Sequence, residues 1–320
     1  MKQLFNYCSL PMYEAAFPEV EQNLQSVIRE FGLAGIEQRV YQPAGQVPYS
    51  DLTVGVHLNY WPEWMNFFWG NQKALSQSFA DAQQLKDYYG GAANVEEWLD
   101  VIKSNLQAAL SVQPEYLVWH VSNASDKEVF TFDFQYTDEQ VLEATAALFN
   151  SVCHVIPDNV IVLFENLWWP GLRLLEPELV EKFFSSLKTK HVGIMLDTGH
   201  LMNTNKSLTD ECTGIAYIQR IIDKLGDLKD LIRGVHLSCS LSGEYQQTFT
   251  KAMPPQTDFA ALLTHIAKID QHRPFSDAGA AEILEKVQPQ YLVHELFYDN
   301  FADMGVKLAQ QQLACGFRSR

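Results

Sequence analysis

Eight short apolar runs, at 4–10, 35–41, 52–60, 116–122, 160–167, 192–197, 234–238 and 291–296, punctuate the chain from end to end, separated by longer stretches of mixed polarity. Several of those stretches, such as 17–31, 138–152, 177–187, 211–225 and 259–269, repeat apolar residues three and four apart, the spacing of one face of an α-helix. Runs such as VIVLF at 160–164 and VGIML at 192–196 lack polar alternation, as strands covered on both faces do. A strand followed by a crossover helix returns parallel to its predecessor, and eight such units close into a (β/α)8 barrel. The interval after the third run is unusually long and holds two predicted helices, 71–89 and 95–110, read as an extended helical cap. No low-complexity linker or compositional shift divides the chain, so 1–320 reads as a single barrel domain.

Charge narrows the choice of partner. A net charge of −16 repels a polyphosphate backbone, which disfavours nucleic acid. Cys8, Cys153, Cys212, Cys239 and Cys315 are scattered, with no close pair to suggest a thiolate metal site. No run of about 18 apolar residues is present to span a bilayer, and the N-terminus lacks the core of a secretion signal. A cytoplasmic protein without membrane contact is expected.

In a parallel barrel the C-terminal strand ends carry function, so the last residue of each run is informative. Six runs lead into a metal-ligating residue type: His57, His120, Glu165, Asp197, His236 and Glu295. A single buried His or Glu is usually a hydrogen-bonded core group. Three carboxylates converging on one mouth are different, because each costs several kcal/mol to bury unpaired and a cation or protons must offset them, a divalent metal being the expected cation. Carboxylate oxygen mixed with imidazole nitrogen suits Mn²⁺, Mg²⁺, Co²⁺, Fe²⁺ or Zn²⁺.

The motifs FEN (164–166), LDTGH (196–200), GVHLS (234–238) and HEL (294–296) resemble those of the xylose-isomerase-like TIM barrels, which include ketose 3-epimerases, hydroxypyruvate isomerases, inosose dehydratases and the apurinic-site endonuclease. The resemblance covers nearly the whole chain. It implies a metal on Glu165, Asp197, His236 and Glu295, with Glu165 and Glu295 also acting as an acid/base pair and His200 touching substrate. The implied reaction is isomerisation or epimerisation of a sugar or polyol, by proton transfer through an enediolate. One departure is Ser242, six residues past His236, where those epimerases carry an arginine. Arg173 is the candidate to bind an anionic group instead.

His57 and His120 are candidates for a second metal or for substrate. With Glu165 they match part of the endonuclease's three-metal site, so a di-metal hydrolase of phosphate esters is the alternative function. The endonuclease's third metal also needs D-x-H after strand seven; from 238 to 259 there is only Asp258 with no following His, so a full three-metal site is not expected. A barrel that binds a sugar without transforming it is a third reading.

Aromatics crowd the same face. Tyr60, Trp61, Trp64, Phe67, Phe68 and Trp69 follow the third run, and Trp168 and Trp169 the fifth. Trp61 and Trp168 are expected to stack on a sugar-like substrate, with cap packing or a homo-oligomer interface as the competing use. Glu37 either reaches the pocket or is a buried, paired carboxylate. His294 alternates with Glu295, which is taken as the inward residue. His154, His191, His265 and His272 are expected to be structural or solvated.

Overall fold

A computed structural model describes residues 1–10, 14, 17–40, 47–254 and 258–317. Its strands β1 (Lys2–Cys8), β2 (Gly35–Val40), β3 (Thr53–Leu58), β4 (Tyr116–His120), β5 (Ile161–Glu165), β6 (Val192–Asp197), β7 (Ile232–Leu237) and β8 (Tyr291–His294) pair in chain order, all parallel, and β1 closes on β8. This is the expected (β/α)8 TIM barrel. The apolar runs overshoot several strands at their C-terminal ends, because Val121, Leu167 and Leu296 stay buried after the backbone has left the ladder. Residue 41, which the sequence assigns to the second strand, lies outside the described residues.

Helix α1 (Val20–Glu30) joins β1 to β2. Between β3 and β4 run α2 (Met65–Phe68), α3 (Gln72–Ser78), α4 (Ala82–Tyr88) and α5 (Val95–Leu110). The single helix expected over 71–89 is therefore two. Phe79 is extended, and Asp81 restarts the helix by accepting from Gln83 N and Gln84 N at 2.9 and 2.8 Å. This segment leans on the loop after β4, where Trp64 N and Met65 N donate to Asn123 Oδ1 and Trp64 Nε1 donates to Ser122 O. Next come α6 (Asp126–Thr131) and α7 (Asp138–Val152), then α8 (Pro177–Ser185), then α9 (Thr198–Asn203) and α10 (Glu211–Leu225). The β7–β8 connection is also long, carrying α11 (Gly243–Thr248), α12 (Phe259–Ile269) and α13 (Ala280–Val287), and α14 (Phe301–Ala314) follows β8. Among the described residues no helix is long and apolar enough to cross a membrane.

Two layers of apolar side chains hold this arrangement. Outside the strands, Phe149, Phe164, Phe183, Ile218 and Ile222 seal them to the helices. Inside, Leu4, Tyr116, Val118, Leu163, Met195, Tyr291 and Val293 fill the lower barrel. Strand side chains alternate in direction, so the residue two places beyond each interior one also points inward, nearer the mouth. Val118 is thus followed by His120, Leu163 by Glu165, Met195 by Asp197 and Val293 by Glu295. Gly55 and Gly234 precede His57 and His236 in the same way. Gly55 is required by a close approach: a Cβ there would stand 2.1 Å from the Tyr116 ring.

Register completes the alignment. β6 and β7 slip by one residue between Ile194 and Met195, so that Asp197 lies opposite His236. Without that bulge the two strands would present opposite faces at this level.

Candidate metal centre

Glu165, at the end of β5, is the hub. Its Oε2 lies 3.1 Å from His57 Nε2 and 3.0 Å from His120 Nε2, while its Oε1 lies 3.1 Å from His236 Nδ1 and 3.3 Å from His200 Nδ1. The carboxylate thereby faces two clusters. On one side are His57 and His120; on the other, Asp197 Oδ2 and Glu295 Oε2 stand 3.9 and 2.8 Å from His236 Nδ1.

A third cluster adjoins them. His200 Nε2 and His272 Nε2 lie 3.2 and 2.6 Å from Asp270 Oδ2. In each of the three groups, His57–His120–Glu165, Glu165–Asp197–His236–Glu295 and His200–Asp270–His272, the candidate ligand atoms all lie within 4.8 Å of one another. The third group contains a D-x-H sequence beyond the 238–259 interval, where only Asp258 stands. Asp270-Gln271-His272 is displaced along the chain by α11 and α12, and His272, expected to be structural or solvated, is buried and hydrogen-bonded to Asp270 and Glu295 O.

Neighbouring groups fix how each ligand is presented. His57 Nδ1 donates to Leu58 O, His200 Nδ1 to Asn166 O, His272 Nδ1 to Glu295 O and His236 Nε2 to Glu37. Each of these bonds occupies one ring nitrogen with an oxygen acceptor and turns the other towards the carboxylates, the usual presentation of metal-binding imidazole. Glu37 is itself held by the Tyr116 hydroxyl at 2.7 Å. Of its two sequence readings, the buried, paired carboxylate is what the structure shows. Asn166 of FEN and Asp197 of LDTGH exchange two bonds, Asn166 Nδ2 to Asp197 O and Asp197 N to Asn166 Oδ1. Asp197 Oδ1 caps α9 by accepting from His200 N, which leaves Oδ2 for the cluster.

The burial of these groups tests whether cations fit. Glu165, Asp197, His236 and Glu295 are at most 1% exposed, yet Asp197 Oδ2 and Glu295 Oε2 have no hydrogen-bond partner, nor does Asp270 Oδ1. Glu295 Oε2 is close to His236 Nδ1 but poorly aligned, since that nitrogen is bonded to Glu165. Burial pushes the Asp197 carboxyl well above the usual range, reinforced by Glu295, Glu165 and Asp270 and opposed by His200. Burial also acts to raise Glu165 and Glu295, but adjacent imidazoles outweigh it and hold both well below that range. His200 and His236 are raised against the effect of burial by facing carboxylates, whereas burial takes His120 down to about 4. Oxygen atoms left bare, with imidazole nitrogens turned towards them, are the donor set of a divalent ion.

Other expected site residues fall differently. Trp168 borders the centre, its ring 5.1 Å from that of His200. Trp61 packs edge-on against Trp98 and donates to Tyr88 O, within the core of the β3–β4 segment. Arg173 is clasped by Asp138, with contacts of 2.7–2.9 Å, outside the three groups. Ser242 donates to Asn203 Oδ1. His294 faces Gln311 and Gln3, while Glu295 faces His236.

No protein-family model and no curated protein sequence matches the chain. Solved structures do. A putative xylose isomerase from Rhodospirillum rubrum aligns with a TM-score of 0.54 at 11% identity, covering 98% of this chain and 99% of that one. Endonuclease IV from Thermus thermophilus aligns at 0.53 and 13%, covering 99% of both chains. An L-ribulose 3-epimerase aligns at 0.53 and 12%, covering 99% of this chain and 95% of that one. Identities this low establish the fold alone, a (β/α)8 barrel shared with these three proteins.

Proposed function

We propose that this xylose-isomerase-like TIM barrel is a multinuclear metal-dependent hydrolase of phosphate esters. One observation carries the reading: Glu165 gives one oxygen to each of two adjoining ligand groups, with a third group beside them. Divalent ions bound there would supply Lewis-acid stabilisation of the charge that builds on a phosphoryl group under attack. The protein's own part is to hold the donors fixed: Glu37 orients His236, Asn166 orients Asp197 and His200, and Leu58 O orients His57. Endonuclease IV, whose name describes hydrolysis of a phosphate ester, shares the fold.

A sugar or polyol isomerase or epimerase is the second reading, supported by Trp168, whose ring beside His200 suits the C–H face of a sugar. It asks Glu165 to exchange a proton with substrate carbon. Both Glu165 oxygens lie 3.0–3.3 Å from imidazole nitrogens and the residue is fully buried, which favours a bridging role over that of a base.

Metal analysis with a screen of phosphate mono- and diesters tests the proposal. More than one ion per chain is expected, with release of phosphate from a monoester or of an alcohol and a monoester from a diester, and E165Q lowering both metal content and hydrolysis. One ion per chain, with His57 and His120 replaceable at no loss of metal, removes the multinuclear hydrolase. Solvent deuterium entering a carbon-bound position of a ketose or inosose would establish the isomerase in its place.

A further inference from the structure

We propose that Arg39 is the anion-recognition residue of this centre and seats a phosphate oxygen of a small substrate; the inference rests on the hydrolase reading and supplies its substrate class. Arg39 stands two places beyond Glu37 on β2, so its side chain leaves the strand on the same inward face. It is in register with His57 on β3 and Cys8 on β1. Its Nη2 lies 3.1 Å from Glu295 Oε1, and its side chain is 32% exposed while that of Glu295 is 1% exposed. The guanidinium thus sits between the buried carboxylate and solvent. Glu295 is divided as Glu165 is, with Oε1 on Arg39 and Oε2 towards His236.

A guanidinium presents planar N–H donors that match a phosphate two at a time, and it stays charged at every working pH. Among the described residues, no other arginine or lysine pairs with a member of the three groups. Arg39 is therefore the arginine or lysine paired with the centre, and it is partly exposed. The surroundings select for size. A chain of net charge −16 opposes a long polyanion laid across its surface, whereas a small ester need satisfy only the local charge. The competing account makes Arg39 a structural clamp that holds Glu295 in place.

Binding of inorganic phosphate to the metal-loaded protein, measured by calorimetry beside metal content, separates the two. We expect R39Q to bind phosphate at least about tenfold more weakly than wild type at equal metal content, with R39K in between and its KM raised more than its kcat is lowered. Equal phosphate affinity in wild type and R39Q, no phosphate binding by wild type, or a loss that tracks loss of metal would each overturn the assignment. Arg39-dependent phosphate binding without hydrolysis of any ester would leave Arg39 standing and remove the hydrolase.

Discussion

At the scale of single residues, the centre depends as much on the groups behind the ligands as on the ligands. Glu37 touches no candidate ligand atom; it accepts from His236 Nε2 and is held by Tyr116, and so aims Nδ1 at the carboxylates. Partners of this kind typically change metal affinity by about 10–100-fold, so E37Q should weaken divalent-ion binding by that factor in a competition titration. An unchanged affinity would show that the backbone alone sets the imidazole. The strand-end residues Glu165, Asp197, His236 and Glu295 are legible in the sequence because each closes an apolar run. Asp270 and His272 are less so, because they follow a helix in a long connection and close no apolar run; their one signal is the D-x-H spacing itself. Arg39 gives still less signal, since one arginine ending a strand is ordinary until its neighbours are known.

At the scale of elements, the loop after β5 is fastened to the first turn of α7. Asp138 accepts from Gly171 N and takes the Arg173 guanidinium in a paired contact. Gly171 is required there: its φ is +141°, and a Cβ would come 2.2 Å from Val121 O. D138A leaves a buried amide unpaired and should cost about 2–3 kcal/mol in urea unfolding. A cost near zero would mean that water replaces the carboxylate. Helix α12 carries a second fastening, His265, which accepts from the Tyr245 hydroxyl at Nδ1, donates to Val129 O at Nε2 and stacks on Phe130. Burial lowers its pKa from 6.5; the Val129 carbonyl opposes the shift and Lys268 adds to it. The unfolded chain therefore takes up this proton first as pH falls, and the stability present above about 6.5 is lost below it. The melting temperature of wild type should accordingly fall further than that of H265F between pH 7.5 and 5.5, and parallel losses would exclude His265 as the cause. Strand order is readable from apolar runs, whereas the break between α3 and α4 is not, because the helical apolar spacing of Leu75, Phe79, Ala82 and Leu85 continues across the extended Phe79 and the cap at Asp81.

At the scale of the molecule, a closed barrel gathers residues from six strands onto one buried patch of carboxylates and imidazoles. Ions that bind the folded chain alone add stability by mass action, about 4 kcal/mol when free metal exceeds its Kd a thousandfold. Chelation should lower the melting temperature, and restoring a divalent ion should recover it; a chelator-insensitive transition would argue that protons suffice to balance the patch. The division of Glu165 between two groups also bears on descent. A substitution at that position would take a ligand from both groups in one step, whereas loss of His57 or His120 would touch one group alone. Loss of one compartment along a lineage would therefore run through its histidines, with the shared carboxylate inherited whole.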